Sequence, residues 1–259
     1  VIVLKSNREI GLMRESGKVV AEALAVVKEL AVPGARTIDL DRAVADIFNR
    51  YGAVSLFKGV QNGRGKPPFP GNICASINEQ VVHGIPSDRR LRSGDILSID
   101  TGCRLNGWCA DSATTLAIGE VDSEAQRLLQ VTEQTLALAI TEMGRQRKWS
   151  QVAELMEQFV HSHGYTLVEQ FVGHGIGREM HEEPQVPNFV SKQLRKNDIW
   201  LDEGLVIAIE PMVNAGTKEV RVLGDHWTVE TKDRRLSAHF EHTVAVTASG
   251  PQILTALAA

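Results

Sequence analysis

Four acids in this chain stand where acids are costly. Asp100 ends the apolar run ILSI, Asp111 lies inside GWCADSATTLAIG, Glu210 ends LVIAI and is followed by Pro211, and Glu241 interrupts AHFEHTVAV. A carboxylate that enters an apolar segment needs a partner or a metal, and no Lys or Arg adjoins any of the four in sequence. His174 sits among glycines in FVGHGIG, where a backbone can approach a ligand closely. Any one of these groups alone reads most simply as a satisfied structural residue. Together they form an oxygen-rich set whose charge two divalent ions would cancel, with one neutral imidazole to complete it. Such donors suit Mn, Fe(II) or Co better than structural zinc, which favours Cys and His. A pair of ions bridged by carboxylates yields hydroxide near neutral pH and polarises a carbonyl, so the chemistry implied is hydrolysis.

The elements that must hold these groups are legible in outline. Ser6-x-x-Glu9 is a capping box that opens an amphipathic helix to about Leu30, stopped by Pro33 and Gly34. Thr37 starts a second helix that ends near Tyr51, before Gly52. Strands are expected near 72–77, over DILSIDTGCRL and over GWCADSATTLAIG, and Asn106-Gly107 between the last two is a two-residue hairpin signal. That turn sets Leu105 against Trp108 and Asp100 against Ala113. Asp111 then shares the face of Asp100, roughly 7–8 Å away at the backbone. Two carboxylates pointing together repel unless a positive charge lies between them. On this hairpin alone, two solvated acids at an exposed strand end are an equal alternative.

Ser123-x-x-Gln126 caps a third helix to about Met143, and a fourth runs from Ser150 to about His163. Strands follow near 165–173, 205–213, 227–231 and 238–247. The order helix, helix, strands occurs twice. It points to an α+β layout of two similar halves around one antiparallel sheet, in a single domain over residues 1–259.

Composition bounds the remaining possibilities. The chain has 259 residues, 43% hydrophobic and 23% charged, the balance of an ordinary globular protein. Net charge is −4 with no acidic or basic block set apart, so nothing draws it strongly to nucleic acid or membrane. Three cysteines, Cys74, Cys103 and Cys109, are too few and too odd for a disulfide framework and fit a reducing, cytoplasmic setting. The opening VIVLKSNREIG lacks the apolar core of a signal peptide, and no apolar run is long enough for a membrane span. His161 and His163 close a helix, where histidines complement the dipole.

At the level of motifs the sequence resembles the type I methionine aminopeptidases of the compact bacterial form, over essentially its whole length. The motifs are VVHGIP with His83, IDTG with Asp100, WCADSA with Asp111, GHGIGREMHEEP with His174 and His181, AIEPM with Glu210 and HFEHT with Glu241. The spacing from Glu210 to Glu241 leaves no room for the helical insertion of the type II enzymes.

The resemblance implies the pita-bread fold, with pseudo-twofold halves and two pairs of helices covering the sheet. It implies two divalent metal ions (Fe, Mn, Co or Zn), with Asp100 on one, His174 and Glu210 on the other, and Asp111 and Glu241 bridging both. Glu210 would also shuttle a proton, while His83 and His181 would contact substrate around the scissile bond. Phe69, Cys74, Met180, Trp227 and the ring of His83 would wall an apolar pocket for methionine. The implied reaction removes the initiator methionine from nascent polypeptides whose second residue is small, with the ribosome as one place of encounter. A monomer is the simplest expectation.

Two positions depart from the family pattern. Met180 stands where relatives often carry an aromatic ring, and His239 where many carry Gln. A titratable His239 beside Glu241 would add a pH dependence near neutrality. The alternatives are an X-Pro peptidase of the same fold, whose large extra N-terminal domain has no counterpart here, and a non-catalytic binding protein of that fold, which would have lost metal ligands.

Overall fold

The computed structural model describes residues 1–257. In chain order, α1 (Asn7–Leu30) and α2 (Thr37–Tyr51) precede β1 (Val54–Ser55), β2 (Cys74–Ile77), β3 (Gln80–Val82), β4 (Ile96–Leu105) and β5 (Trp108–Ala117). The second half begins with α3 (Ser123–Met143) and α4 (Trp149–Ser162), followed by β6 (Thr166–Leu167), β7 (Gly173–Gly175) and β8 (Glu182–Val186). Then come α5 (Lys192–Lys196), β9 (Val206–Ile209), β10 (Met212–Asn214), β11 (Val220–Val222) and β12 (Val229–Thr231). The chain closes with β13 (Ser237–His239), β14 (Glu241–Thr247) and β15 (Gly250–Ile253).

Local chemistry sets the helix ends. The Ser6–Glu9 capping box forms as the sequence predicts, with the Glu9 carboxylate accepting from the Ser6 N–H at 2.9 Å. Gly52 ends α2 in the left-handed region at φ 65°. The cap of α3 differs from expectation. Asp122, not Ser123, accepts from the Ala125 N–H at 2.8 Å, and Ser123 is the first helical residue. Both residue types suit a cap, and a charged carboxylate at a helix N-terminus also gains from the dipole.

Each helix pair covers its own half of the sheet. Val20, Val27, Val44 and Phe48 of α1 and α2 pack on Leu97 and Ile99 of β4. Leu128, Trp149, Met156 and Val160 of α3 and α4 pack on Ile207, Ile209 and Val244.

The hydrogen-bonded sheet is divided. Nine strands run β1-β4-β5-β14-β9-β7-β8, with β2 added on β4 and β15 on β14, while β13-β10-β6 and β11-β12-β3 form two three-stranded sheets. The strands expected over 205–213 and 238–247 are each cut in two, the first at Glu210-Pro211 and the second at Phe240. Proline cannot continue a central ladder. The Phe240 N–H bonds the Pro211 carbonyl instead, so both strands leave the large sheet beside an acid.

The first and second halves of the chain meet in the nine-stranded sheet at β5 and β14, through only Glu241↔Ala113 and His242↔Ser112. Hydroxyls stitch this short seam. Thr243 Oγ1 donates to the Asp111 carbonyl and accepts from its N–H, and Ser112 Oγ donates to the Glu241 carbonyl.

Candidate metal centre

Five neighbouring strands, β4, β5, β14, β9 and β7, each bring one candidate ligand to the same face. The hairpin register is the one its turn demands, with Leu105↔Trp108 and Asp100↔Ala113. Glu241 faces the same Ala113 from the other side. Since side chains alternate along a strand, Asp111, two residues from Ala113, points the same way. Across β9, His174 and Thr243 both face Ala208, and Glu210 follows Ala208 by two residues. Small residues at these shared positions leave space for carboxylates above them.

The side chains converge as the register requires. One ligand atom from each of Asp111, His174 and Glu241 lies within 4.8 Å of the others. Glu210 Oε1 is 3.6 Å from His174 Nε2. His174 Nδ1 lies 3.0 Å from the Gly175 carbonyl, which fixes the proton on Nδ1 and turns the Nε2 lone pair to the cluster.

Asp111, Glu241 and His174 are buried, and no Lys or Arg among the described residues forms an ion pair with any of the four acids. Burial pushes Asp100 well above the usual carboxylate range, aided by the charges of Asp111 and Glu210. Burial likewise raises Asp111 to about 7 and lifts Glu210 and Glu241 well up, with Asp111 repelling both. Burial lowers His174 to about 4, so it is neutral. Asp100 Oδ1, Asp111 Oδ1 and Glu241 Oε1 are buried with no hydrogen-bond partner. An orphaned buried acceptor costs about 1–3 kcal/mol, and more when charged. Two of the three acids, Asp111 and Glu241, come together with His174, a donor set that fits a divalent cation.

A cleft of about 190 Å³ adjoins the cluster, and Asp100 lines it. The five expected walls, Phe69, Cys74, His83, Met180 and Trp227, all line it, with His181. Leu56, Phe57 and Val60 line it too and carry no sequence signal beyond their apolarity. Phe69 meets Trp227 edge to face at 5.2 Å. The Trp227 indole N–H donates to the Pro67 carbonyl at 2.9 Å, and Asn62 donates to the His226 carbonyl, tying the loop before Phe69 to the turn at Asp225.

His83 holds the left-handed conformation at φ 60°, a strained geometry for a non-glycine residue, with its ring edge-on to Phe171 at 5.4 Å. The His181 ring lies 4.4 Å from that of His174.

The structure overturns the expectation for His239. Its side chain is 2% exposed, and burial presses it down to about 3, so it stays neutral across the physiological range. It faces Glu210, with Nε2 3.8 Å from Oε2.

Several supports had no clear sequence signal. Thr115 Oγ1 donates to the His239 carbonyl and accepts from its N–H. Asn188, wholly buried, donates to the Glu210 carbonyl at 3.1 Å and holds the broken end of β9. His242 pairs with Thr255 Oγ1 at 2.9 Å, a structural contact.

The chain is similar to known proteins over nearly its whole length. Residues 11–248 match metallopeptidase family M24. The chain is 42% identical to a methionine aminopeptidase of Clostridium perfringens over 98% of this chain and 99% of that one. It is 39% identical to that of Escherichia coli over 98% and 94%. The crystal structure of methionine aminopeptidase from Thermotoga maritima superposes with a TM-score of 0.92 at 37% identity, covering 99% of this chain and 100% of that one. Prolidase from Pyrococcus furiosus shares the fold alone, with a TM-score of 0.74 at 19% identity over 99% of this chain and 66% of that one. This α+β, pita-bread chain therefore belongs to metallopeptidase family M24 and, within it, to the methionine aminopeptidases.

Proposed function

We propose that the protein removes the initiator methionine from polypeptides with a small second residue, and that Asp100, Asp111, His174, Glu210 and Glu241 hold two divalent ions for this reaction. The observation that carries the ligand set is that five adjacent strands, or their ends, present these residues on one face, with Asp111, His174 and Glu241 within 4.8 Å of one another and Glu210 3.6 Å from His174. A pair of such ions supplies Lewis acidity and water acidic enough to ionise near neutral pH.

The remaining work falls to the chain's own groups. Glu210 stands at the broken end of β9 with its carboxyl raised by burial. That position suits a group that takes a proton from water and returns it to the leaving amine. His181, beside His174 and open to the cleft, is placed to donate to a developing oxyanion, a contact commonly worth a few kcal/mol. His83 contacts substrate from the cleft wall.

The cleft buries the methionine side chain against Phe69, Cys74, Met180 and Trp227, which contributes about 1.5–3 kcal/mol. Asp100, which lines the cleft, receives the substrate's free α-amine and so restricts cleavage to chain ends. Substrates are nascent N-termini met in the cytoplasm, at or near the ribosome, and the protein acts as a monomer on them. No helix among the described residues is long and apolar enough to cross a membrane.

The test is cleavage of Met-Ala-Ser by protein stripped with a chelator and refilled with Fe(II), Mn, Co or Zn in turn, beside X-Pro peptides as controls. Cleavage of Met-Ala-Ser restored by at least one ion is expected. Failure with all four, or preference for X-Pro bonds, overturns the proposal.

A further inference from the structure

Between β7 and β8 the chain makes a tight loop, residues 176–181, that carries Met180 and His181 to the cleft. The loop's own backbone offers little to hold it, since its internal bond is Gly177 N–H to the Glu179 carbonyl at 3.1 Å. From outside, the Ile176 N–H bonds the Val206 carbonyl, the Cys109 N–H and thiol donate to the Gly177 and Arg178 carbonyls, and Arg104 pairs with Glu179, while one carboxylate holds the amides at the loop's tip. Glu182 Oε1 accepts from the N–H groups of Arg178 and Glu179 at 2.8 and 3.2 Å, folding the loop over the residue that ends it. Its other oxygen, Oε2, pairs with Lys5 Nζ at 2.6 Å, and the Lys5 side chain is only 4% exposed.

The approach is close enough that a side chain at Gly177 would displace one member of the pair. A Cβ there would lie 2.6 Å from Lys5 Cε and 2.7 Å from Glu182 Oε1. Lys5 is itself anchored by its backbone N–H to the Gly204 carbonyl at 2.7 Å, on the turn that leads into β9 and Glu210. Burial opposes the Glu182 charge, but Lys5 and the two N–H groups outweigh it, and the carboxyl is held below its usual range.

We infer that Lys5 and Glu182 are positioning residues for His181: the ammonium of the N-terminal segment locks the Glu182 carboxylate, the carboxylate fixes the 176–181 loop, and the loop sets the His181 ring against His174. This rests on the proposed contact of His181 with substrate. A buried ion pair is a poor way to gain stability, because desolvation consumes most of the attraction. It is an effective way to specify one geometry, because removing either charge leaves the other unpaired. His181 has one bond of chain between it and Glu182, so a shift of the carboxylate moves the ring directly. A misplacement near 1 Å in such a group costs about 100-fold in rate.

The experiment compares Lys5→Met and Glu182→Gln in two backgrounds, native and His181→Ala, using metal-loaded full-length protein and the Met-Ala-Ser peptide. In the native background each is expected to lower kcat about tenfold or more while KM moves less than about twofold, with metal content unchanged. In the His181→Ala background the same changes should alter kcat by less than about twofold, because the group they position is gone. NMR of the zinc-loaded protein supplies a readout independent of activity. The His181 ring signals should shift in both variants, and amide exchange at Arg178 and Glu179 should quicken. Losses that add fully on top of His181→Ala, or unshifted His181 signals in folded variants, overturn the inference. Native protein inert towards Met-Ala-Ser counts against the proposed function alone, and the NMR readout then decides on the positioning role. If Lys5→Met does not fold, Glu182→Gln carries both tests.

Discussion

Gly102 stands directly across the β4–β5 ladder from Asp111, and its missing side chain makes room for that carboxylate. A Cβ at Gly102 would lie 2.9 Å from Asp111 Oδ1 and 3.1 Å from the Ala110 carbonyl. The carboxylate would have to turn away from Glu241 and His174 to relieve the contact. Gly102→Ala is therefore expected to weaken divalent-ion binding by about 10-fold or more, as loss of supporting contacts around ligands commonly does. Titration calorimetry measures it, and unchanged affinity would show that Asp111 is free to relax.

The four raised carboxyls carry a pH signature. Their folded values lie above the unfolded ones, through burial in all four and through repulsion by Asp111 in the other three, with Asp111 itself at about 7. The metal-free folded protein thus keeps protons that the unfolded chain has released. Stability from these groups is full below the ordinary carboxylate range and is lost as pH rises towards their raised folded values, about 7 for Asp111. His83, His174 and His239 run the other way. Burial presses them to about 4, about 4 and about 3, so the stability they lend is present above 6.5 and is lost as pH falls below it. Above pH 6.5 the carboxyls stand alone. The Tm of metal-free protein should fall from pH 6.5 to 8, and Mn(II) loading at pH 6.5 should release protons. Calorimetry in buffers of differing ionisation enthalpy counts them, and binding without proton release would mean that the acids are already ionised.

His239 should contribute nothing to the pH dependence of turnover near neutrality. Its ring is neutral because it is buried, with pKa about 3, far below the working range. The pH profile of kcat in His239→Gln is expected to keep the shape of the native one, since both side chains are uncharged there. A lost or displaced limb between pH 6 and 8 would contradict the buried, neutral ring.

Thiol chemistry offers a test of the core. Cys74, Cys103 and Cys109 are all buried and unpaired. Burial raises each thiol, Cys103 to about 12 and Cys74 well above its usual value, with Asp100 and Asp111 adding to the latter. A thiol needs its thiolate to react. Ellman's reagent at pH 8 should find no reactive cysteine in native protein and three after denaturation. Prompt labelling of the native form would place Cys74 on an open cleft wall rather than a closed one.

Legibility in the sequence followed how local each constraint was. The register of Asp100 and Asp111 was readable because a two-residue turn at Asn106-Gly107 leaves one pairing to choose. The break at Phe240 was not, because its run carries no breaker and only the tertiary turn away from the large sheet cuts it, whereas Pro211 did mark the other break, within a run apolar on both sides. Asp122 was passed over for Ser123 because neighbouring residues suited the same cap. Thr115, Ser112 and Thr243 gave no signal, since hydroxyls on strands are commonplace and their partners lie over a hundred residues away in the chain. His239 was misjudged for a related reason. Sequence supplies its ordinary pKa, while its true one depends on walls contributed by distant strands.

The two-pair seam between β5 and β14 gives the metal centre a second consequence. Asp100 and Asp111 come from one side of that seam, and His174, Glu210 and Glu241 from the other. Cations held by all five, as proposed, would act as rivets between two leaves, across a seam that the large sheet closes with two pairs and β3 with β12 closes elsewhere. The empty protein should then open along this line before it melts elsewhere, so that the concentration of the ion sets how long the two leaves stay shut.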